Sequence, residues 1–274
     1  MLNNDLSQQI KRNFSYKPTE EQEKAVKSFA DFLLSLSGDS VFLLKGYAGT
    51  GKTTLTAALV RTLDQLQWKT VLLAPTGRAA KVFSSYAGHP AFTIHKKIYR
   101  QKMFSNETDN FIANPNLYRH TLFIVDEASM IANEGLSGAH FGSGRLLDDL
   151  IQYVYNGMGC RLMLVGDTAQ LPPIGEEESP ALSVAMLQGY GLEVTECELT
   201  EVVRQSVASG ILWNATALRA RIIKEDFFEY PQVKCKGFSD ICRLPGNELI
   251  EAINDCYDHV GLDETIVICR SNKR

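Results

Sequence analysis

Residues 46–53 read GYAGTGKT and follow directly on the apolar run Val41, Phe42, Leu43 and Leu44. Two glycines five apart, followed by Lys and Ser/Thr and set between a buried-type strand and a helix, make the pattern of a phosphate-cradling loop. Glycine at 46, 49 and 51 lets the backbone bend tightly and turn its N–H groups toward phosphate oxygens, while a helix beginning near Lys52 points its positive dipole end at them. Tyr47, Ala48, Thr50 and Thr54 complete the segment expected to wrap the nucleotide. Lys52 is expected on the β- and γ-phosphates, and Thr53 on Mg²⁺. A glycine-rich turn that binds nothing is the competing reading, and the strand in front of it argues against that reading.

Outward from the loop, strand and helix alternate. Upstream, Pro18-Thr19-Glu20-Glu21-Gln22 is a helix-start signal, and Ala25, Val26, Phe29, Phe32 and Leu33 recur at helical spacing up to about residue 36. Downstream come a helix to about residue 66, a strand over 70–74 ending in Pro75-Thr76-Gly77, and a helix over 78–86. Residues 121–125, 161–165 and 193–199 read as further strands, with helices near 145–155, 180–188, 211–223 and 248–259. Such alternation implies a mainly parallel, covered sheet with ligands at the C-terminal ends of its strands. Between 93 and 121 the pattern changes to a short helix and two short, poorly alternating apolar pieces around Ser105-Asn106-Glu107-Thr108-Asp109-Asn110. A small projecting hairpin and an ordinary surface loop both fit that stretch.

At 274 residues, with 45% hydrophobic and 22% charged residues, the chain can bury one large or two modest cores. No apolar run reaches the length of a membrane span and the N-terminal residues lack the apolar core of a signal peptide, so no membrane partner and a cytoplasmic location are expected. Six cysteines show no two-residue spacing of the zinc or redox kind, which favours buried reduced thiols. A net charge of −4 excludes a chain that is basic all over. The distribution is polar in another sense: residues 65–106 hold no acidic residue but carry Lys69, Arg78, Lys81, Lys96, Lys97, Arg100 and Lys102, whereas in 126–201 only Arg145 and Arg161 are basic. One region suits a polyanion and the other a metal, although a basic block can also be a solvated face.

Asp126 and Glu127 close an apolar strand, the natural complement of a phosphate loop. Asp126 is expected to hold Mg²⁺, usually through water, and Glu127 to orient and deprotonate the water that attacks the γ-phosphate of ATP. Gly166-Asp167 with Gln170 repeats the theme, and Gln170 can donate to a γ-phosphate oxygen and lose that bond after hydrolysis. Alone, this second cluster reads better as a satisfied loop. Arg204 can neutralise charge on the transferring phosphoryl group.

These residues resemble the superfamily 1 DNA helicases, and among them the RecD-like and Dda-like group that moves 5′ to 3′ on single-stranded DNA. The resemblance runs in order through Pro18-Thr19-Glu20-Glu21-Gln22, the loop at 46–53, Leu73-Ala74-Pro75-Thr76-Gly77-Arg78-Ala79-Ala80-Lys81, Thr93-Ile94-His95, Val125-Asp126-Glu127-Ala128-Ser129-Met130, residues 166–173 and residues 199–205. It implies that Gln22 reads the adenine edge. It also implies that Pro75, Thr76, Gly77, Arg78 and Lys81, together with Thr93, His95, Lys96 and Lys97, lie on the DNA path, and that residues 99–118 carry a wedge that splits the duplex. Tyr99, Phe104 and Phe111 are the aromatic candidates for that wedge or for base stacking, with small-domain core as their alternative.

The resulting expectation is an α/β chain: a RecA-like P-loop domain over 1–92 and 121–260, a small insertion over 93–120, and the start of a second RecA-like domain over 261–274. The last apolar run, 265–269, reads as a buried-type strand with five residues after it and no visible neighbour to pair with, so the chain is expected to break off there. ATP, Mg²⁺, single-stranded DNA and its junctions with duplex are the implied cofactors and partners, for a monomer whose protein partners stay unspecified. The alternatives are a nucleotide- and DNA-binding module with little activity, or an ATPase acting on RNA or protein.

Overall fold

Strand residues that point alternately to two faces divide the core into two layers. In the computed structural model, which describes residues 2–101, 111–133, 141–201, 209–224, 228 and 230–269, the main sheet holds β1 (Ser40–Gly46), β2 (Thr70–Ala74), β3 (Ala91–Thr93), β6 (Leu122–Val125), β7 (Arg161–Gly166) and β8 (Glu193–Leu199). All neighbours pair in parallel, in the order β3-β2-β6-β7-β1-β8. Phe42 and Leu44, Leu72, Leu122 and Ile124, Met163 and Val165 enter one layer with α1 (Leu2–Arg12), α2 (Glu20–Leu34), α3 (Lys52–Gln65) and α4 (Gly77–Ala87). Val41 and Leu43, Val71 and Leu73, Phe123 and Val125, Leu162 and Leu164 enter the other, with α5 (Ile94–Ile98), α6 (Leu146–Tyr155) and α7 (Val184–Gly189). Both faces of the central strands are therefore covered, which is why these strands read as continuous apolar runs rather than alternating ones. A one-residue slip would exchange the two layers, so register is strongly specified.

Local chemistry sets the element ends. Thr19 caps α2 and forms a reciprocal capping box with Gln22, with Glu20, Glu21 and Glu23 in the first turn. Thr76 caps α4 and Thr93 caps α5 through side-chain acceptance from Ala79 and Lys96 amides. At the other end of α2 the Arg161 guanidinium donates to the carbonyls of Phe32, Leu33 and Ser35 and lies 5.6 Å from the Phe32 ring. Phe29, Phe32 and Phe42 pack as a tilted and edge-to-face trio with centroids 5.4–6.1 Å apart.

Of the two readings for the stretch after α5, the paired one holds: β4 (Tyr99–Gln101) and β5 (Phe111–Ala113) run antiparallel, Tyr99 opposite Ala113 and Gln101 opposite Phe111. Four elements differ from expectation, the first being the three-residue edge strand β3, too short to show an alternating pattern in the sequence. Helix α1 was not foreseen, because only Leu6 and Ile10 supply its buried face and two apolar positions make no readable period. The helix expected over 180–188 is a 3₁₀ turn at Pro180–Leu182 followed by α7. The strand expected over 265–269 is not formed: those residues pair with nothing among the described ones, and Ile268 is 87% exposed. An apolar run alone cannot make a strand without a neighbour to supply its ladder.

The chain divides into two units, residues 1–205 and 206–274, so the boundary expected at 260/261 falls inside the second. That unit contains α8 (Gly210–Ile223) and α9 (Leu249–Val260). Within it, Asn214 exchanges hydrogen bonds with Lys234, and Asp240 accepts from Ser209 and the first amides of α8. All six cysteines are unpaired thiols, but only Cys160 is buried.

Candidate nucleotide site

The loop of residues 46–53 takes its shape from two left-handed glycines and one crowded one. Gly49 and Gly51 have φ of 84° and 87°, a region that costs a residue with a side chain about 1–2 kcal/mol. Gly46 needs its missing side chain for another reason: a Cβ there would stand 2.8 Å from Thr50 Oγ1 and 2.9 Å from the Leu199 carbonyl. Thr50 Oγ1 donates to the Tyr47 carbonyl at 2.8 Å, closing the loop on itself, and α3 starts at Lys52 behind a left-handed Gly51, with no side chain capping its first amides. Lys52 Nζ donates to the carbonyls of Gly46 at 2.6 Å and Tyr47 at 3.0 Å and lies 3.8 Å from Asp167 Oδ2.

Strand β7 pairs with β1 and β6 lies beyond β7, and the ends of β6 and β7 bring Asp126, Glu127 and Asp167 to the loop. Asp126 is held at both oxygens: Tyr86 Oη donates to Oδ2 at 2.5 Å and the Glu127 amide donates to Oδ1 at 2.9 Å. Burial pushes the Asp126 carboxyl above its ordinary value, opposed by those two hydrogen bonds and the Lys52 charge. Glu127 is likewise pushed up by burial and then by the Asp126 charge, while a hydrogen bond with Gln170 and the charge of Lys52 pull it down. Glu127 has φ of 54°, the left-handed region, where few residues other than glycine and asparagine sit. Gln170 Oε1 accepts from Ser129 Oγ at 2.8 Å, which joins the ends of β6 and β7.

A cavity of about 630 Å³ is lined by Gln22, Tyr47, Ala48, Gly49, Gly51, Lys52, Thr53, Thr54, Asp126, Glu127 and Gln170, whereas Gly46 and Thr50 of the expected set do not line it. Sequence reasoning missed Asp167 as the ionic neighbour of Lys52, Tyr86 on Asp126, and the aromatic wall of Phe14 and Tyr16 with Lys17. Phe14, Tyr16 and Lys17 lie just ahead of the Pro18 helix start, the one signal that pointed to them. Gln22 lines the cavity, yet its side chain is already engaged: Oε1 accepts from the Thr19 amide and Nε2 donates to the Thr50 carbonyl at 3.1 Å. It braces the phosphate loop from α2.

The donor set fits a hard divalent cation. Thr53 offers a hydroxyl and Asp126 a carboxylate to the same cavity, both oxygen ligands of the kind Mg²⁺ prefers. No group of three or more His, Cys, Asp or Glu able to hold a metal occurs among the described residues, so such an ion would draw its remaining ligands from phosphates and water.

The expected polynucleotide residues cluster at the ends of neighbouring strands. Ala74 of β2 pairs with Thr93 of β3, so Pro75, Thr76 and Gly77 lie beside Thr93 at one edge of the sheet. Arg78, Lys81 and Lys96 are exposed there. Lys97 instead lies over the rings of Phe92 and Tyr118, 4.6 and 4.9 Å from their centroids. His95 packs on Tyr99 and Phe141, and burial pushes its pKa down, which favours a neutral ring. Tyr99 is a correction: it is 6% exposed, packs tilted against the Phe141 ring and donates to Asp149 Oδ2 at 2.6 Å, so it belongs to the core and not to a stacking surface. Phe111 stacks on Phe141 with centroids 4.4 Å apart. Phe104 and Arg204 lie outside the described residues. None of the described helices is long and apolar enough to cross a membrane.

The chain is similar to several known proteins. A family model described as AAA domain matches residues 17–226. The chain is 32% identical over 190 residues to the ATP-dependent RecD2 DNA helicase of Deinococcus radiodurans, covering 69% of this chain and 23% of that protein. It is 29% identical over 166 residues to the ATP-dependent DNA helicase dda of Enterobacteria phage T4, covering 60% and 34%. A crystal structure of Pif1 helicase from Bacteroides in complex with ADP-AlF3 and ssDNA superposes with a TM-score of 0.45 at 18% identity, over 91% of this chain and 58% of that one. The chain thus spans about a quarter to a third of the curated relatives' length.

Proposed function

This chain belongs to the AAA domain family, and on that premise we propose that it is the nucleotide-binding domain of an ATP-dependent DNA helicase moving 5′ to 3′ on single-stranded DNA. One observation carries the proposal: the loop at 46–53, Asp126, Glu127 and Gln170 line a single cavity. Lys52, engaged with the loop carbonyls, would transfer its hydrogen bonds to β- and γ-phosphate oxygens when ATP enters. Glu127 would accept the proton of the attacking water, and Gln170 would bridge that carboxylate to the γ-phosphate. Thr53 and Asp126 would hold Mg²⁺, which would supply positive charge against that of the phosphates. Gln22 would present the part of its amide not used by the loop to the adenine edge, with Phe14 and Tyr16 alongside. Arg204 would meet the transferring phosphoryl group. Arg78, Lys81 and Lys96 would contact the DNA backbone beside Thr76 and Thr93, and residues 99–118 would supply the wedge.

The order and polarity of the reaction, the junction substrate, a monomeric state and a cytoplasmic location belong to the same proposal. Strand displacement by the full-length protein on tailed duplexes tests it: separation of duplexes with 5′ tails, dependent on ATP, is expected. Separation only from 3′ tails would overturn the polarity, and ATP turnover stimulated by RNA or protein but not by DNA would favour the ATPase alternative. Nucleotide and DNA binding without turnover would reduce the chain to a binding module.

A further inference from the structure

Tyr86 has no place in the phosphate-loop chemistry read from the sequence, yet its hydroxyl reaches the centre of the site. It donates to Asp126 Oδ2 at 2.5 Å while the Glu127 amide occupies Oδ1 at 2.9 Å. A carboxylate has about four acceptor positions, so two fixed donors leave two positions free and set the plane in which they lie. The ring that carries the hydroxyl is itself fixed: it stacks on Phe83 with centroids 5.2 Å apart and planes 26° from parallel, and Phe83 is fully buried. Arg61 Nη2 donates to the Tyr86 carbonyl at 3.4 Å, and Gly88, with φ of 70°, ends α4 directly behind it. Helix α4, capped by Thr76, carries Arg78 and Lys81 exposed on its first turns. The hydroxyl on Asp126 and the basic residues at the sheet edge are thus parts of one helix.

We propose that Tyr86 is a positioning residue that orients the Asp126 carboxylate toward a nucleotide-bound divalent cation and ties that carboxylate to helix α4. This rests on the nucleotide-site reading above. Partners that orient a ligating side chain commonly change metal affinity by about 10- to 100-fold when removed.

The experiment is a titration of a fluorescent ATP analogue bound to the full chain with magnesium chloride, compared for wild type, Tyr86→Phe, Asp126→Asn and the double variant, with circular dichroism as a check of fold. Tyr86→Phe keeps the ring and its stacking and removes the hydroxyl alone. The expected result is unchanged affinity without magnesium, a magnesium midpoint raised roughly tenfold, and no additional shift when Tyr86→Phe is placed on Asp126→Asn. An unchanged midpoint in Tyr86→Phe, or an equal shift in the absence of the Asp126 carboxylate, would overturn the assignment while leaving the nucleotide site intact. Wild type that binds the analogue without any dependence on magnesium, or does not bind it, would overturn both readings. Should Tyr86→Phe unfold, the same comparison with Phe83→Leu, which loosens the ring but leaves the hydroxyl, replaces it: a raised midpoint supports the assignment and an unchanged one overturns it.

Discussion

Glu127 combines a left-handed backbone, a raised carboxyl and a neighbouring carboxylate in one residue. Strain of this kind costs about 1–3 kcal/mol and persists only where the surroundings over-determine it. Here the determinants are the hydrogen bond from its own amide to Asp126 and the 3₁₀ turn Ala128–Met130 that follows. Glu127→Gln keeps the shape and removes the base. We expect it to bind nucleotide normally and to hydrolyse ATP about 10²- to 10⁴-fold more slowly. Lys52→Ala, in contrast, should lose nucleotide binding itself. Fluorescence binding and steady-state turnover measured side by side separate the two, and normal turnover in the glutamate variant would remove its assigned role.

Two adjacent residues at the start of α2 tie separate elements together. Gln22 reaches the phosphate loop through the Thr50 carbonyl, and Glu21 receives the Thr200 amide at 2.7 Å, the Thr200 hydroxyl at 2.6 Å and the Glu201 amide at 2.9 Å, where the chain leaves β8. Burial alone would raise the Glu21 carboxyl; the three hydrogen bonds and the Lys24 charge outweigh it and hold the value below the ordinary 4.5. A carboxyl lowered by folding stabilises the native state above its unfolded value, and the contribution disappears as pH falls through the folded value. Wild type should therefore exceed Glu21→Gln in stability by a constant margin near neutral pH. That margin should shrink below about pH 4.5. Urea unfolding at a series of pH values measures it, and a margin independent of pH would show that Glu21 acts by shape alone.

Over the whole molecule, charge is distributed as the chain order suggests: carboxylates gather at the ends of β6 and β7, and exposed basic residues at the edge formed by β2 and β3. Single-stranded DNA releases counterions when basic groups neutralise its phosphates, with a salt slope of roughly 0.7 per contact. Arg78→Ala with Lys81→Ala should accordingly flatten the plot of log affinity against log salt by about 1.4. Fluorescence anisotropy with a labelled single strand checks this; an unchanged slope would move the polynucleotide path elsewhere on the surface.

The amino-acid sequence by itself determined the phosphate loop, the two-layer parallel sheet and the acidic strand ends, because glycine spacing, capping residues and continuous apolar strands are local signals. It did not reveal α1, whose two buried apolar side chains form no period, nor the failure of residues 265–269 to make a strand, since pairing depends on a neighbour the run itself cannot supply. Tyr99 illustrates the same limit at a single position: an aromatic residue in a short strand suits a stacking surface or a core equally well until Phe141, His95 and Asp149 close around it. Only the tertiary structure decided that Tyr86 holds Asp126 and that Asp167 faces Lys52. They are separated from Asp126 and Lys52 by 40 and 115 residues, and the sheet order that brings β1, β6 and β7 together exists only once the chain has folded.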